Sequence, residues 1–212
     1  GIFNCIRYLS RKHTITLLSF VTGDTERHVA GLEPYCHKVV PVRHVAGNSY
    51  AVMLKNLASN RPYTIEKFRS SDMMNQVHRV AGSGEIDLVH IDHLHMAQYI
   101  AALPEGLPVI LREHNVESVI MRRFSDKTSN PLKKVYAGLQ ARRLHQYEAE
   151  ICPRFNCCAV VTEVDGRTLQ RMAPEASIEM IPSGVDAEWF DPHVLESSPE
   201  PLRLVTTGDY GW

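Results

Sequence analysis

Residues 114–118 place polar side chains directly after an apolar run. The run at residues 107–111 predicts a buried strand, and the residues that follow it include His114, Asn115, Glu117 and Ser118. An imidazole, an amide and a carboxylate together suit a polyhydroxylated ligand. Because the ligand crevice of an open α/β sheet lies outside the carboxyl ends of its strands, this position predicts a binding site. A helix cap made by Asn115 or Ser118 explains the same residues, and both interpretations stay open here.

A second polar group follows the preceding predicted strand, residues 86–91. Its members are His90, Asp92, His93 and His95. Imidazole and carboxylate ligands suit zinc or iron, but this spacing matches no common metal-binding signature and no metal site is predicted. We expect His93 and His95 to line the same crevice as His114, or to lie in a polar loop.

Two later segments also end predicted strands with residues that could contact a ligand. Thr162, Glu163 and Asp165 stand at a predicted helix N-terminus, whose free N–H groups could hold a phosphate or a sugar hydroxyl. A capping box explains these three residues equally well. The other segment contains Ser183, Gly184 and Asp186, which fit a turn or a ligand contact at even odds.

Strand and helix patterns alternate along the chain. Apolar runs predict strands at residues 13–21, 37–42, 86–91, 107–111, 157–161 and 178–181. Helical patterns cover residues 3–11, 50–57, 71–80 and 96–103, and a helix of about 20 residues follows Asn130 with an apolar stripe through 132, 135, 136 and 139. Since parallel strands need crossover connections, this rhythm predicts an α/β fold, a parallel sheet with helices on both faces. Tyr147 and Glu148 are interpreted as packing and solvated-face residues, and Arg112 and Glu113 are expected to face away from the site.

Composition excludes several classes of protein. At 212 residues and 44% hydrophobic content, the chain can bury a sizeable core. Its 23 basic and 24 acidic residues give a net charge of −1, so no global field favours nucleic acid. Five cysteines without a CxxC pair argue against a disulfide framework and favour a reducing, cytoplasmic setting. No apolar run approaches the roughly 18 residues of a membrane span.

The order of these motifs resembles glycosyltransferase family 4, a family with the GT-B fold, and in particular the sugar transferases associated with exopolysaccharide assembly. The resemblance is carried by residues 111–118, the helix containing Tyr147 and Glu148, residues 161–165 and residues 181–192. It implies that residues 1–190 form an acceptor-side Rossmann-like domain lacking its first strand. Residues 191–201, rich in proline, would be a linker, and residues 202–212 the first strand of a donor-binding domain.

The resemblance also implies an activity and roles for residues. The family transfers a hexose from a nucleotide-sugar to a glycan or lipid-linked acceptor with retention of configuration, as in polysaccharide biosynthesis. His114 would contact the transferred sugar near the reacting centre, and Gly208 would approach the donor phosphates. Ser183 stands where the family usually has asparagine. The substrate-binding candidates are Asn115, Glu117, His93, His95, Thr162, Glu163, Asp165, Ser183, Gly184 and Asp186.

The resemblance also bears on cofactors and on binding partners, and two other functions stay open. No metal or cofactor is implied, the nucleotide-sugar being a co-substrate, and the 212-residue piece alone is expected to be inactive. Peripheral association with the inner face of a membrane would use basic residues, although a solvated helix face explains the same residues. The candidates are Arg122, Arg123, Lys133, Lys134, Arg142 and Arg143. A non-catalytic sugar- or nucleotide-binding module of the same fold and a His/Asp metalloenzyme are the alternative functions.

Overall fold

The chain folds into parallel sheets flanked by helices, as the sequence predicts. The computed structural model describes residues 2–23, 26–45 and 50–186. Its strands are β1 (Thr16–Val21), β2 (Lys38–Arg43), β3 (Val89–Asp92), β4 (Val109–Glu113), β5 (Cys157–Val160) and β6 (Ile178–Met180). The linker prediction (191–201), the predicted strand 202–212 and Gly208 lie outside the described residues.

Hydrogen bonding divides the six strands into two sheets. β1 pairs with β2, and the second sheet has the order β3-β4-β5-β6, with every pair parallel. Register places Asp92 beside Arg112 at the ends of β3 and β4. The residues that follow these two strands therefore emerge side by side at one edge of the sheet, as parallel pairing requires.

Seven α-helices precede or connect the strands in the part of the chain that the structure describes. They are α1 (Ile2–Leu9), α2 (Tyr50–Leu57), α3 (Tyr63–Lys67), α4 (Ser71–Ala81), α5 (Glu117–Lys127), α6 (Pro131–Ile151) and α7 (Glu163–Met172). Three 3₁₀ segments are Glu26–Leu32, Leu94–Ala102 and Cys152–Arg154. The sequence patterns predict neither α3 nor α5. The helix that they predict at residues 96–103 is a 3₁₀ helix, Leu94–Ala102. No helix among residues 2–23, 26–45 and 50–186 is both long and apolar enough to cross a bilayer.

The main core lies between the four-stranded sheet and α6. Leu111 of β4, Cys158 of β5, Leu144 of α6 and Leu169 of α7 are at most 1% exposed and pack in one cluster. A smaller cluster joins Met73 of α4 to the two-stranded sheet and to the segment Leu94–Ala102. The core thus fixes the strand ends of β3 and β4 against the helices that follow them.

The long helix α6 corrects two sequence predictions. Asn130 caps it, its side chain accepting a hydrogen bond from the Lys133 N–H at 3.0 Å. Leu132 and Val135 begin the predicted buried stripe but are 82% and 74% exposed, because the first turn of α6 extends beyond the core. From sequence, Tyr147 and Glu148 are interpreted together as packing and solvated-face residues, but Glu148 is completely buried and is therefore not on a solvated face.

Candidate functional site

The polar residues after β3 and β4 meet at the carboxyl ends of these strands. The His114 Nε2–H donates a hydrogen bond to Asp92 Oδ1 at 2.9 Å, and His93 Nε2 lies 3.7 Å from Asp92 Oδ2. A carboxylate only accepts, so Asp92 places the His114 proton on Nε2 and leaves Nδ1 for another contact. We name Asp92, His93, His95 and His114 the strand-end cluster.

The imidazoles of the strand-end cluster form a column. His93 stacks on His114 with ring centroids 4.2 Å apart, and His95 lies 5.3 Å from His93. Phe68 extends the column from His95 at 4.1 Å. His93 is 48% exposed and His114 26% exposed, so the column presents ring surface and polar atoms to solvent.

His93 adopts a backbone conformation that is rare for a side-chain-bearing residue. Its φ of 72° with ψ of 144° is a region that glycine occupies most readily, and the strain costs on the order of 1–3 kcal/mol. It is the one described non-glycine residue with positive φ. Strain of this kind persists where surrounding structure enforces it and is frequent at binding and active sites. The observation therefore favours a functional role for the strand-end cluster.

Burial lowers the pKa of His90, that of His93 and that of His95. Desolvation, followed by the neighbouring His93, lowers the pKa of His95 to about 4. Desolvation is also the main reason that the pKa of His93 and that of His90 are lowered, against the opposing effect of the Asp92 charge. Because His93 and His95 are uncharged near neutral pH, they can stack without mutual repulsion.

The start of α5 contains or follows three of the predicted site residues, Asn115, Glu117 and Ser118. The helix cap predicted for Asn115 or Ser118 is made by neither side chain. Val116 occupies the cap position, and no side-chain hydrogen bond is made from it. Instead Glu148 Oε1 accepts a hydrogen bond from the Ser118 N–H at 3.2 Å. A side chain of α6 thus pairs with one of the backbone N–H groups that have no partner within the first turn of α5. Asn115 is exposed beside the cluster, where it can reach a ligand.

Three interacting carboxyl groups lie where the end of β4, the start of α5 and α6 come together. Glu113 is 3% exposed and Glu148 is not exposed, while Glu117 is half-buried. Burial raises the pKa of Glu117 and that of Glu148 to about 7, and burial followed by the charge of Glu148 raises the pKa of Glu113 well above its ordinary value. Glu113 thus faces the interior, away from the crevice, as the sequence predicts. Glu113 Oε1 and Glu148 Oε2 have no hydrogen-bond partner among the described residues.

The residues at the start of α7 form a helix cap. Thr162 Oγ1 accepts from the Asp165 N–H at 3.1 Å and donates to Asp165 Oδ2 at 2.6 Å. Glu163 is occupied by an exposed ion pair with Arg167 at 3.0 Å. The cap accounts for Thr162 and Asp165 and the ion pair accounts for Glu163, so the predicted role of these residues in substrate binding has no separate geometric support.

Thr162→Ala is expected to lower the free energy of unfolding by about 1 kcal/mol, because the N–H of Asp165 loses its acceptor. Asn130→Ala, which removes the matched cap of α6, should cost a similar amount. Urea unfolding of both variants gives these values. If Thr162→Ala left stability unchanged while Asn130→Ala lowered it, the capping interpretation of Thr162 would be wrong.

The segment after β6 returns to α1. Asp186 accepts a hydrogen bond from Arg7 Nη2 at 2.7 Å, which ties the two ends of the described chain together. Ser183 and Gly184 are exposed, and a Cβ at Gly184 would meet no atom within 4 Å. No described neighbour therefore requires glycine there. The structure does not bring these three residues into contact with the strand-end cluster.

A family comparison accounts for this arrangement. The model of Glycosyltransferase Family 4 matches residues 1–189. The chain belongs to glycosyltransferase family 4. No curated protein matches the chain. The family assignment agrees with the α/β fold and places the strand-end cluster in a transferase domain.

The family 4 domain also contains a group of potential metal ligands. One ligand atom each from Asp92, His93 and His114 lies within 4.8 Å of the others. Two imidazoles and a carboxylate are suitable donors for a divalent transition metal. Asp92 and His114 of this group are already joined by a hydrogen bond, so the arrangement equally serves to orient His114.

Two residues of this transferase site were not predicted as site residues from the sequence. Asp92 entered only as a metal-ligand candidate, although its place one residue beyond the predicted strand 86–91 could have signalled that it faces the crevice. Phe68 follows α3 and reaches His95 from 27 positions earlier in the chain. No local pattern connects these two residues.

Proposed function

We propose that this chain is the acceptor-side domain of a retaining hexosyltransferase. The donor would be a nucleotide-sugar and the acceptor a glycan or a lipid-linked saccharide, as in polysaccharide biosynthesis in the cytoplasm. The reaction needs no metal or cofactor in this proposal. Membership of family 4 supports the class of reaction.

The hydrogen bond between His114 and Asp92 is the observation that carries the proposal. It orients an imidazole at the carboxyl end of a strand, where α/β folds bind ligands. With Nε2 committed to Asp92, Nδ1 can accept a hydrogen bond from a hydroxyl of the transferred sugar. His93 and His95 would supply a ring surface beside that sugar, and exposed Asn115 would contact the acceptor.

The chemistry of retaining transfer requires this kind of polar wall. The transition state has oxocarbenium character at the sugar and negative charge on the departing diphosphate. A fixed hydrogen-bonding group near the reacting carbon lowers the barrier because it needs no reorganisation as the charge develops. The donor phosphates would be held by groups outside the strand-end cluster, for which Gly208 is the candidate.

Turnover tests the proposal. The protein translated from the complete reading frame that contains this chain should release nucleoside diphosphate from at least one nucleotide-sugar in a panel, with an acceptor extract present. Proton NMR of the product should show the anomeric configuration of the donor. Binding of a nucleotide-sugar without turnover would indicate a non-catalytic module instead.

The group of potential ligands at Asp92, His93 and His114 supports a metalloenzyme as the second candidate. The same assay separates the two functions. A glycosyltransferase of the proposed kind keeps its rate in the presence of a chelator and purifies without stoichiometric zinc or iron. Loss of the rate on chelation, with recovery on adding zinc, would favour the metalloenzyme.

A further inference from the structure

An exposed apolar surface lies at the turn between α5 and α6. We call residues 122–135 the hairpin tip. Leu132 is 82% exposed, Val135 is 74% exposed and Phe124 is 52% exposed. Leu132 and Val135 are three residues apart on one helix and therefore lie on the same face. A helix face of this composition is normally covered, and nothing among the described residues covers it.

The hairpin tip is also strongly basic. It contains five cations and one carboxylate, namely Arg122, Arg123, Lys127, Lys133, Lys134 and Asp126. The remaining residues of the chain comprise 18 basic and 23 acidic ones, so positive charge is concentrated here in an otherwise acidic protein. Within the part of the chain that the structure describes, none of the five cations forms an ion pair. Their charge is available to an anionic surface.

The hairpin tip is held in one shape. Ser125 Oγ donates to the Lys134 carbonyl at 2.9 Å, which fastens the end of α5 to the first turn of α6. The Asn130 cap fixes the start of α6, and Thr128 Oγ1 donates to the Phe124 carbonyl at 2.7 Å. The exposed apolar residues are thus presented on a rigid support, which reduces the entropy lost when they bind.

The mixture of apolar and basic side chains favours an anionic lipid surface over a nucleic acid as the binding partner of the hairpin tip. A nucleic acid would use the cations but would gain nothing from burying Leu132 and Val135. An anionic bilayer uses both, because its headgroups attract lysine and arginine and its acyl boundary accepts leucine, valine and phenylalanine. We propose that the hairpin tip docks on an anionic lipid surface, with Phe124, Leu132 and Val135 inserted at the headgroup boundary.

This docking leaves the strand-end cluster accessible. The cluster adjoins the start of α5, whereas the turn of the hairpin tip, residues 128–130, lies beyond the other end of this helix, about 15 Å away along the axis for a helix of this length. The proposal depends on none of the residues assigned to sugar transfer. Its failure would leave the proposed function standing, and the reverse also holds.

Vesicle sedimentation of the 212-residue chain tests the proposal. We expect binding to vesicles of phosphatidylcholine mixed with phosphatidylglycerol, and at least about tenfold weaker binding to phosphatidylcholine alone. Leu132→Ser combined with Val135→Ser should weaken binding to the mixed vesicles about tenfold or more, and so should Lys133→Gln combined with Lys134→Gln. These residues are exposed, so the melting temperature of each variant should match that of the unaltered chain.

A matched control is available on α2. Leu54 is 68% exposed and is followed by exposed Lys55, as Leu132 is followed by Lys133. Leu54→Ser combined with Lys55→Gln should leave vesicle binding unchanged. The proposal is overturned if the chain binds neither vesicle, or if the α2 variant loses as much binding as the tip variants. Sensitivity to the lysine changes without sensitivity to the serine changes also overturns it, since that result indicates attraction to any polyanion.

Discussion

His114→Ala is expected to lower kcat of the complete transferase roughly a hundredfold, because the transition state loses a fixed hydrogen-bonding group beside the reacting sugar. The imidazole of His114 is 26% exposed and is not part of the core, so the melting temperature should change little. The release of nucleoside diphosphate at saturating donor measures kcat. His145→Ala, which removes an exposed imidazole from α6, is the matched control and should keep the full rate. Equal rates for the two variants would remove His114 from the mechanism.

Asp92 is expected to act through His114 as a positioning residue. Asp92→Asn should lower kcat about tenfold with little change in KM, because the amide no longer holds the Nε2 proton of His114 as firmly. In the double variant with His114→Ala, the second change should add almost nothing. A merely structural role for Asp92 would instead make the two losses multiply. The double-mutant cycle therefore distinguishes the two roles.

The second large effect concerns stability. We compare the free energy of unfolding of Glu148→Gln with that of the unaltered chain at two pH values. The difference in favour of the variant is expected to be roughly 2–3 kcal/mol larger at pH 8 than at pH 5. Burial raises the pKa of Glu148 from 4.5 in the unfolded chain to about 7 in the folded protein. The stabilising contribution of its protonated form is present at low pH and is lost as the pH rises through about 7. Glutamine stays neutral at both pH values and can keep the bond to the Ser118 N–H.

Urea unfolding at the two pH values measures this difference. The unaltered chain alone is less informative, because the lowered pKa of His95 has the opposite effect and removes stability as the pH falls from 6.5 towards 4. Glu150→Gln, which removes an exposed carboxylate of the same helix, is the matched control and is measured at the same two pH values. An equal change for Glu148→Gln at pH 5 and pH 8 would mean that the folded protein does not release the Glu148 proton in this range, which contradicts the prediction.

The features that the sequence predicted correctly are those set by local pattern. Apolar runs located β1, β2, β4 and β5, and Asn130 followed by proline marked the start of α6. The position of polar residues after two successive strands predicted that His114 and His93 would meet, because parallel neighbours end at the same edge. The catalytic and binding roles of these residues stay predictions.

The features that escaped prediction depend on distant contacts. Glu148 lies on the buried face of α6 with Ala141, Leu144 and Ile151. Exposure to solvent was nevertheless expected for it, because its side chain can carry a charge. Its partner is a backbone N–H of α5, 30 residues earlier in the chain. Leu132 and Val135 fit the helical stripe but extend past the core that would have buried them. The positive φ of His93 has no sequence signal at all.

The proposed contact between His114 and the transferred sugar is most directly tested by NMR of the complete protein with isotope-labelled histidine. Donor that supports turnover is added to saturation, and the imidazole resonances are assigned by substitution. We expect the signals of His114 and His93 to shift while that of His145 stays in place. Unchanged His114 and His93 signals at saturating donor would contradict the proposed site.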